Sequence, residues 1–503
     1  MKILSAQQMR EADQYTIANE PIASIDLMER ASKAFFDAIK PRLKKNNPIH
    51  VFCGMGNNGG DGLAIARMLI HAGYKAQVYK VLHSDKASED FIINEKRLTK
   101  MRRAQYAELS ETDILPSLSS ADVVIDALFG SGLNRPLEGF AARLVQHINK
   151  SGARVLSVDL PSGLFADDNT SNKPEHIIKA DYTFTFQLPK LSFLFPENEF
   201  FVGNWQVLDI GLDKNFIDQQ PSDWHFLQPE ELSTLFHSRS RFSHKGNFGH
   251  ALLFAGSLGK AGAAVLAGKA CLRMGAGLLT VHVPACNYSI LQSTLPEAMV
   301  SVDSEQHFVS ETGDISPYSA IGTGPGLGRE PQTANALKLL IQNSRCPMVL
   351  DADALNILAE NPTWLSFLPA GSILTPHVKE FERLTGKSAN GWERLQKARE
   401  FAFRYGCYVV LKGAFSAVVG PDKKVVFNST GNPGLATGGT GDVLTGMILG
   451  LLAQGYTPRF SAMAGVLLHG LAADLAVRRI PMESLMAGDV VSFIDRALKK
   501  VII

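Results

Sequence analysis

The stretch CGMGNNGGDGL, Cys53 to Leu63, follows the short, mostly apolar run Ile49-His50-Val51-Phe52. Gly54, Gly56 and Gly59 satisfy G-x-G-x-x-G, the fingerprint of a dinucleotide-binding turn between a strand and a helix. A strand ending at Phe52 and a helix starting near Asp61 would put Gly54 to Gly60 at the top of a sheet. Backbone N–H groups and the helix end would attract an anion there. The dipole contributes only about 0.3–1 kcal/mol at an exposed site, so it positions a phosphate rather than securing it. Asn57 and Asn58 add amide donors and acceptors, which suit an amide or a sugar as well as phosphate. The plain alternative is a tight turn capped by Asp61, and G-x-G-x-x-G alone is a weak signal.

Outward from this turn, near-continuous apolar runs read as strands at 49–52, 77–82, 122–129, 154–160 and 181–186, with helical spacing at 62–72 and 137–149. That βαβ rhythm predicts a doubly wound parallel sheet covered on both faces. The rhythm fails from about Asp213 to Asn247, a polar segment rich in turn formers, which places a domain boundary near 220. A second α/β series follows, with strands at 250–256, 278–283, 348–352, 372–376 and 408–413 and helices at 262–274 and 441–453. Two domains, 1–220 and 221–503, suit a chain too long for one ordinary core.

Composition narrows the function classes. Fifty basic residues stand against 49 acidic ones, leaving no surplus charge for nucleic acid or anionic lipid. Five widely spaced cysteines without a C-x-x-C pair suit a reducing compartment and argue against a zinc site or disulfides. The opening MKILSAQQMREADQY turns polar too early for a signal peptide, and no run reaches a membrane span. The expectation is a cytoplasmic protein.

Two further strand ends carry chemistry. DVVIDALFGSGLNRP sets Asp126 inside a strand before a glycine loop and Arg135, and RVLSVDLPSG sets Asp159 and Ser162 at the next strand's end. Ligands of open α/β sheets lie outside the strands' carboxyl ends, so these loops can share one site. Asp126 bonding nearby backbone, and Pro161-Ser162-Gly163 as an ordinary turn, are the bland readings. A dehydrogenase should also hold an acid roughly 20 residues past the fingerprint; Asp85 is the nearest such group and sits past its strand's end.

In the second half, NPGLATGGTGDVLTGMILGLL places Gly438, Gly439 and Gly441 before a long apolar helix, with Asp442 at its start. Asp442 is either an N-cap or a base beside an anion hole, taking a proton from a hydroxyl that attacks a phosphoryl group. The coincidence of glycines, acid and helix makes this motif far more specific than the first.

CGMGNNGGDGLAIARML, DALFGSGLNRP, VDLPSGL and ADYTFTFQLPKLSFLFPENEFFVGNW resemble the epimerase half of the bifunctional NAD(P)H-hydrate repair enzymes. The resemblance implies a Rossmann-like domain that interconverts R and S hydrates of NADH or NADPH. It places Asn57, Asn58, Gly59, Gly60 and Asp61 against the hydrate, together with Gly130, Ser131, Gly132, Leu133, Asn134, Arg135 and Pro136. Asp159 would lie at the reacting ring as acid and base. The resemblance also implies a potassium ion on Asn58, Asp126 and Ser162, although the same oxygens would suit a water-filled polar pocket.

GGTGDVLTG resembles the turn of the ribokinase-like fold. HKGNFGHALLFAGSLGKAGAAVLAGKACLRMGAGLLTV, IGTGPGLG, VLDADALNIL, ILTPH and LKGAFS resemble the dehydratase half of the same repair enzymes across almost all of 244–450. By that resemblance Ala263, Gly326, His377 and Asp442 contact the hydrated dinucleotide. Lys412, Gly413, Ala414, Phe415, Ser416 and Gly441 hold an adenine nucleotide, with ADP favoured over ATP and magnesium beside its phosphates. On their own, Ala263 would be a helix-packing alanine, His377 a strand-end histidine and Lys412 a solvated cation. One departure stands out: the usual T-P-H-P-G-E is here Thr375-Pro376-His377-Val378-Lys379-Glu380, which alters the turn's backbone freedom and adds a positive charge. Small-molecule substrates and a homo-oligomer follow as expectations. The competing readings are a ribokinase-like small-molecule kinase with an N-terminal nucleotide-binding regulator, and a noncatalytic nucleotide sensor.

Overall fold

The computed structural model describes residues 1–84 and 86–502, so Asp85 lies outside the described residues. The chain forms two compact units, Met1–Ser222 and Asp223–Ile503.

The first unit is built on a seven-stranded sheet, all parallel. Its strands are β1 (Ile49–Cys53), β2 (Ala76–Val81), β3 (Gln105–Leu109), β4 (Val123–Ala127), β5 (Arg154–Val158), β6 (Tyr182–Phe186) and β7 (Asn204–Leu208). Their order, β3-β2-β1-β4-β5-β6-β7, is that of a Rossmann-like doubly wound sheet. Successive residues of β1 feed opposite cores: Val51 packs with Phe35, Leu63 and Phe184, whereas Phe52 packs with Val124, Leu144 and Val155. Burial on both faces is why the central strands read as unbroken apolar runs. The edge strands β3 and β7 alternate with exposed residues and carry no such run.

The helix after β1 begins at Asn57, not near Asp61, and Gly56 rather than Asp61 is its N-cap. Its glycine-rich first turns survive because packing there leaves no room for side chains. A Cβ on Gly59 would meet Gly54 O at 1.7 Å, and one on Gly62 would meet Ala127 Cβ at 2.6 Å. Tertiary contact thus outweighs glycine's poor helix propensity, about 1 kcal/mol per residue.

The second unit carries β8 (Trp224–Leu227), β9 (His250–Phe254), β10 (Leu278–Val283), β11 (Met299–Val302), β12 (Ala320–Thr323), β13 (Met348–Leu350), β14 (Ile373–Leu374), β15 (Tyr408–Leu411), β16 (Ala417–Val419) and β17 (Val425–Asn428). The ten strands run β11-β10-β9-β12-β13-β14-β15-β16-β17-β8. Pairing is parallel from β11 to β15, antiparallel on both sides of β16, and parallel again between β17 and β8. β8 lies in the segment expected to be irregular; it is a short edge strand of mixed polarity, too brief to register as a pattern.

Helices Ala261–Arg273 and Thr440–Ala453 cross closely over this sheet. At the crossing a Cβ on Gly446 would meet Ala267 O at 2.0 Å, and one on Gly450 would meet Cys271 O at 2.5 Å. The glycine spacing lets the two backbones touch and brings both helix N-termini to the carboxyl ends of the strands.

Candidate active sites

In the first unit, the carboxyl ends of β1, β4, β5 and β6 bring the predicted loops together. Asp126 is fully buried and accepts Ser162 Oγ (2.5 Å), Ser162 N–H (2.9 Å), Ser157 Oγ (2.9 Å) and Leu128 N–H (3.4 Å). Burial pushes its carboxyl up, opposed by those bonds. Ser162 Oγ also accepts Phe129 N–H at 2.9 Å, which ties the start of the Gly130 loop to the end of β5. Across the site, Asn58 lies so near that a Cβ on Gly130 would stand 3.4 Å from its Oδ1. Its buried Nδ2 finds no partner among the described residues. Gly132, Asn134 and Arg135 are exposed, while Gly130, Ser131, Leu133 and Pro136 are half-buried.

Asp159 has a left-handed backbone, φ +62°, which is uncommon for a residue with a side chain. Its N–H donates to Phe184 O at 2.9 Å. Its Oδ1 accepts Phe186 N–H (3.0 Å) and Thr185 Oγ1 (3.1 Å) and stands 2.9 Å from Lys190 Nζ. These bonds hold the strained turn and leave Oδ2 without a hydrogen bond among the described residues. Lys190 is only 3% exposed, so this is a buried ion pair.

Asp61 is not a cap: it is buried and accepts Ser32 Oγ at 3.1 Å. Burial raises its carboxyl well above the ordinary range, opposed by the Ser32 bond and reinforced by Asp159, Asp13 and Asp90. Asp13 is a group sequence reasoning missed. Burial pushes its carboxyl up to about 6, Asp159 adds to the rise, and Lys190 opposes it. Lys190 was missed as well; both residues are far in sequence from the loops they face.

In the second unit, Asp442 occupies the first turn of helix Thr440–Ala453, whose N-cap is Gly439 at φ +90° without a side-chain bond. The N-cap reading of Asp442 therefore fails, because the aspartate sits inside the helix. Burial pushes its carboxyl up to about 6; Asp351 adds to the rise, Lys412 opposes it and Asp353 contributes a little more. Lys412 is not a solvated cation. Its Nζ donates to the buried Asp351 Oδ1 at 2.7 Å, while Asp351 Oδ2 accepts Thr445 Oγ1 at 2.7 Å. A Cβ on Gly441 would stand 3.3 Å from Lys412 Nζ. A cation and the open N–H groups of a helix start thus face one space, an arrangement that draws phosphate.

Asp353 links this centre to the other predicted contacts. It accepts Gly328 N–H (3.0 Å) and Lys260 Nζ (3.2 Å), and Ala352 between the two aspartates has φ +46°. Gly326, at φ +59°, lies against Ala263: its Cβ would stand 3.1 Å from Ala263 Cβ. Beside them opens a cavity of about 660 Å³ lined by Ser257, Lys260, His307, Gly328, Arg329 and Glu360. His377 caps helix Val378–Thr385: its Nδ1 accepts Lys379 N–H (3.1 Å) and Glu380 N–H (3.4 Å), and Glu380 Oε2 accepts His377 N–H at 2.8 Å. Val378 and Lys379 fit this helical turn without proline or glycine. The preceding Pro376 O accepts Lys412 N–H at 3.1 Å, so His377 adjoins the Lys412 loop. That loop is closed by Ser416 Oγ, which accepts Gly413 N–H at 3.2 Å, with Ala414 and Phe415 at its turn.

Asp351, Asp353, Thr445 and Lys260 carried no role in the sequence reading. His469 is a further buried neighbour, its imidazole pushed down to about 4 by burial, opposed by a backbone contact with Thr440 and aided by Lys412. Among the described residues no helix is long and apolar enough to cross a membrane, and no group of three His, Cys, Asp or Glu side chains is placed to hold a metal.

Comparison with known proteins bears on both units. Residues 251–495 match the family described as NAD(P)H-hydrate dehydratase, and residues 24–192 match the family described as YjeF-related protein N-terminus. The chain is 35% identical to the bifunctional NAD(P)H-hydrate repair enzyme Nnr of Moorella thermoacetica, over 99% of this chain and 97% of that one. It is 35% identical to the enzyme of the same name from Escherichia coli K12, over 94% and 89%. Among solved structures, the ADP/ATP-dependent NAD(P)H-hydrate dehydratase of Bacillus subtilis, co-crystallized with ATP/Mg2+, is 32% identical, covers 55% of this chain and 98% of its own, and has a TM-score of 0.48. With relatives this similar along nearly its whole length, the chain belongs to the family of bifunctional NAD(P)H-hydrate repair enzymes.

Proposed function

We propose that the first unit epimerises R and S NAD(P)H hydrates and that the second dehydrates the S form to NAD(P)H at the expense of ADP, giving AMP and phosphate. The observation that carries the reading is Asp442: a half-buried carboxyl with a pKa near 6 at a glycine-opened helix start, facing Lys412. Asp442 takes the proton of the hydrate's hydroxyl as its oxygen forms a bond to the terminal phosphorus of ADP, while the bond from that phosphorus to the bridging oxygen breaks and AMP leaves with the electron pair. The C–O bond then breaks, phosphate leaves with the electron pair, and loss of the neighbouring ring proton restores the double bond. Lys412, held by Asp351 against Thr445, offsets charge developing on the phosphates, and Gly441 gives them room beside the helix start. Ala263, Gly326 and His377 border the hydrated ring, and Lys412 to Ser416 hold the nucleotide.

Magnesium would be held by the nucleotide's phosphates together with Asp353, leaving Asp442 free to take the proton and Asp351 in its bonds to Lys412 and Thr445. When bound it neutralises phosphate charge.

In the first unit, Asp159 acts at the hydroxyl-bearing carbon. Its open Oδ2 can exchange a proton while Oδ1 is fixed by Phe186, Thr185 and Lys190. Inversion requires the C–O bond to break with proton gain, giving water and a ring cation, and water to add to the other face with proton loss. Asn57 to Asp61 and Gly130 to Pro136 hold the dinucleotide. Asn58, Asp126 and Ser162 would offer a potassium ion one buried carboxylate's charge, a hydroxyl oxygen and an amide oxygen. The free cysteines agree with a cytoplasmic setting, and we expect a homo-oligomer.

The test follows the reduced-nicotinamide absorbance of purified chain with hydrated NADH, ADP and Mg2+. Asp442→Asn should abolish its return. Asp159→Asn should still consume the S form while the R form waits on spontaneous exchange. A phosphorylated product that persists without NADH would instead make the second unit a kinase.

A further inference from the structure

The first helix, Ala6–Asn19, precedes the residues matched by the N-terminal family, which begin at 24. It is nevertheless firmly docked on its own unit. Met9, Ala12 and Thr16 are buried, Thr16 Oγ1 accepts Asp213 N–H at 3.0 Å, and Tyr15 stacks on Phe216 at 4.5 Å. Ser222 Oγ donates to Ile3 O at 2.6 Å just ahead of the helix. Arg10 and Asp13, three residues apart, share the face next to this buried stripe.

Arg10 reaches the glycine loop after β4: a Cβ on Gly132 would stand 3.8 Å from Arg10 Nη1. The guanidinium is exposed and has no hydrogen bond or ion pair among the described residues. An unpaired arginine beside a glycine loop is suited to bidentate contact with phosphate. Asp13, on the same helix face, lies near enough to Asp159, Asp61 and Lys190 to feel their charges. It accepts no hydrogen bond among the described residues, whereas Asp61 is tied to Ser32 and Asp159 Oδ1 to three donors.

We propose that this helix is a wall of the epimerase pocket, with Arg10 gripping the phosphates of the hydrated dinucleotide over Gly132 and Asp13 passing a proton to and from the hydroxyl opposite Asp159. The inference rests on the epimerase reading above. As the ring C–O bond breaks, Asp13 gives its proton and water departs with the electron pair; when water adds to the other face, Asp159 accepts the proton released. A carboxyl that holds its proton to about pH 6 suits this role.

The test measures R-to-S exchange of NADH hydrate on the full chain without ADP, so that dehydration is silent. Arg10→Ala should raise KM about 10-fold or more with kcat within about twofold, and Arg10→Lys should recover part of the loss. Asp13→Asn should lower kcat about 100-fold or more with little change in KM. A first-unit melting transition matching the parent's, read by calorimetry in parallel, reports that each variant's epimerase unit is folded. Parental KM and kcat in both variants would overturn the inference while leaving the epimerase reading intact. A parent chain that does not accelerate exchange would overturn the epimerase reading and this inference together.

Discussion

Asp442→Asn should stabilise the second unit while destroying its chemistry. In the folded chain the carboxyl's pKa is about 6 against an ordinary 3.8, chiefly through burial, with Asp351 adding and Lys412 opposing. Because the folded value is the higher one, the native state holds a proton that the unfolded chain has already lost between pH 3.8 and about 6. This group's contribution to stability is therefore fully present below 3.8 and is lost as pH rises through about 6. A shift of about two units corresponds to about 3 kcal/mol. Partial exposure and the helix dipole's preference for a negative group, about 0.3–1 kcal/mol, reduce this to roughly 2 kcal/mol. Asparagine is neutral at every pH and nearly the same size. At pH about 7.5 the variant's second-unit melting transition should lie about 4 °C above the parent's, and the gap should close near pH 4. Calorimetry at both pH values, without nucleotide, reads this directly. A variant less stable at the higher pH, or a gap that does not shrink on acidification, would refute a charge held at a cost for catalysis.

Three other outcomes follow from the same geometry. Gly446→Ala should destabilise the second unit by roughly 2 kcal/mol in denaturant melts, although alanine is the better helix former by about 1 kcal/mol, because its Cβ would meet Ala267 O at 2.0 Å. The pH profile of dehydration, as kcat/KM, should rise to a plateau with a midpoint near 6, since Asp442 must be ionised to accept a proton; a flat profile between about pH 5 and 7 would remove it as the base. Potassium in place of sodium should stabilise the first unit against thermal unfolding by about 1–3 kcal/mol at saturating salt, and Asp126→Asn should erase that difference.

How much was legible in the sequence depended on whether the signal was local. β1, β4 and β5 could be read because both faces are buried and the runs are apolar throughout, while β3 and β7 sit at edges and show no run. GGTGD could be read because its glycines, acid and helix are contiguous. The start of the helix at Asn57 could not, since glycines there signal a loop unless one knows that Gly54 and Ala127 press against them. Lys190, Asp13 and Asp351 escaped for another reason. Their meaning lies in a partner distant along the chain, as with Lys412 and Asp351, 61 positions apart.

The touching backbones of helices Ala261–Arg273 and Thr440–Ala453 bear on how the second unit can move. With Gly446 and Gly450 seated against Ala267 and Cys271, neither rod can slide or roll on the other without a clash. Ala263 near the front of one and Asp442 near the front of the other are therefore fixed like two jaws of a welded clamp. Any tightening around a substrate has to come from the loops at Gly326–Gly328 and Lys412–Ser416, so engineering a wider specificity should begin there and leave the glycine contacts alone.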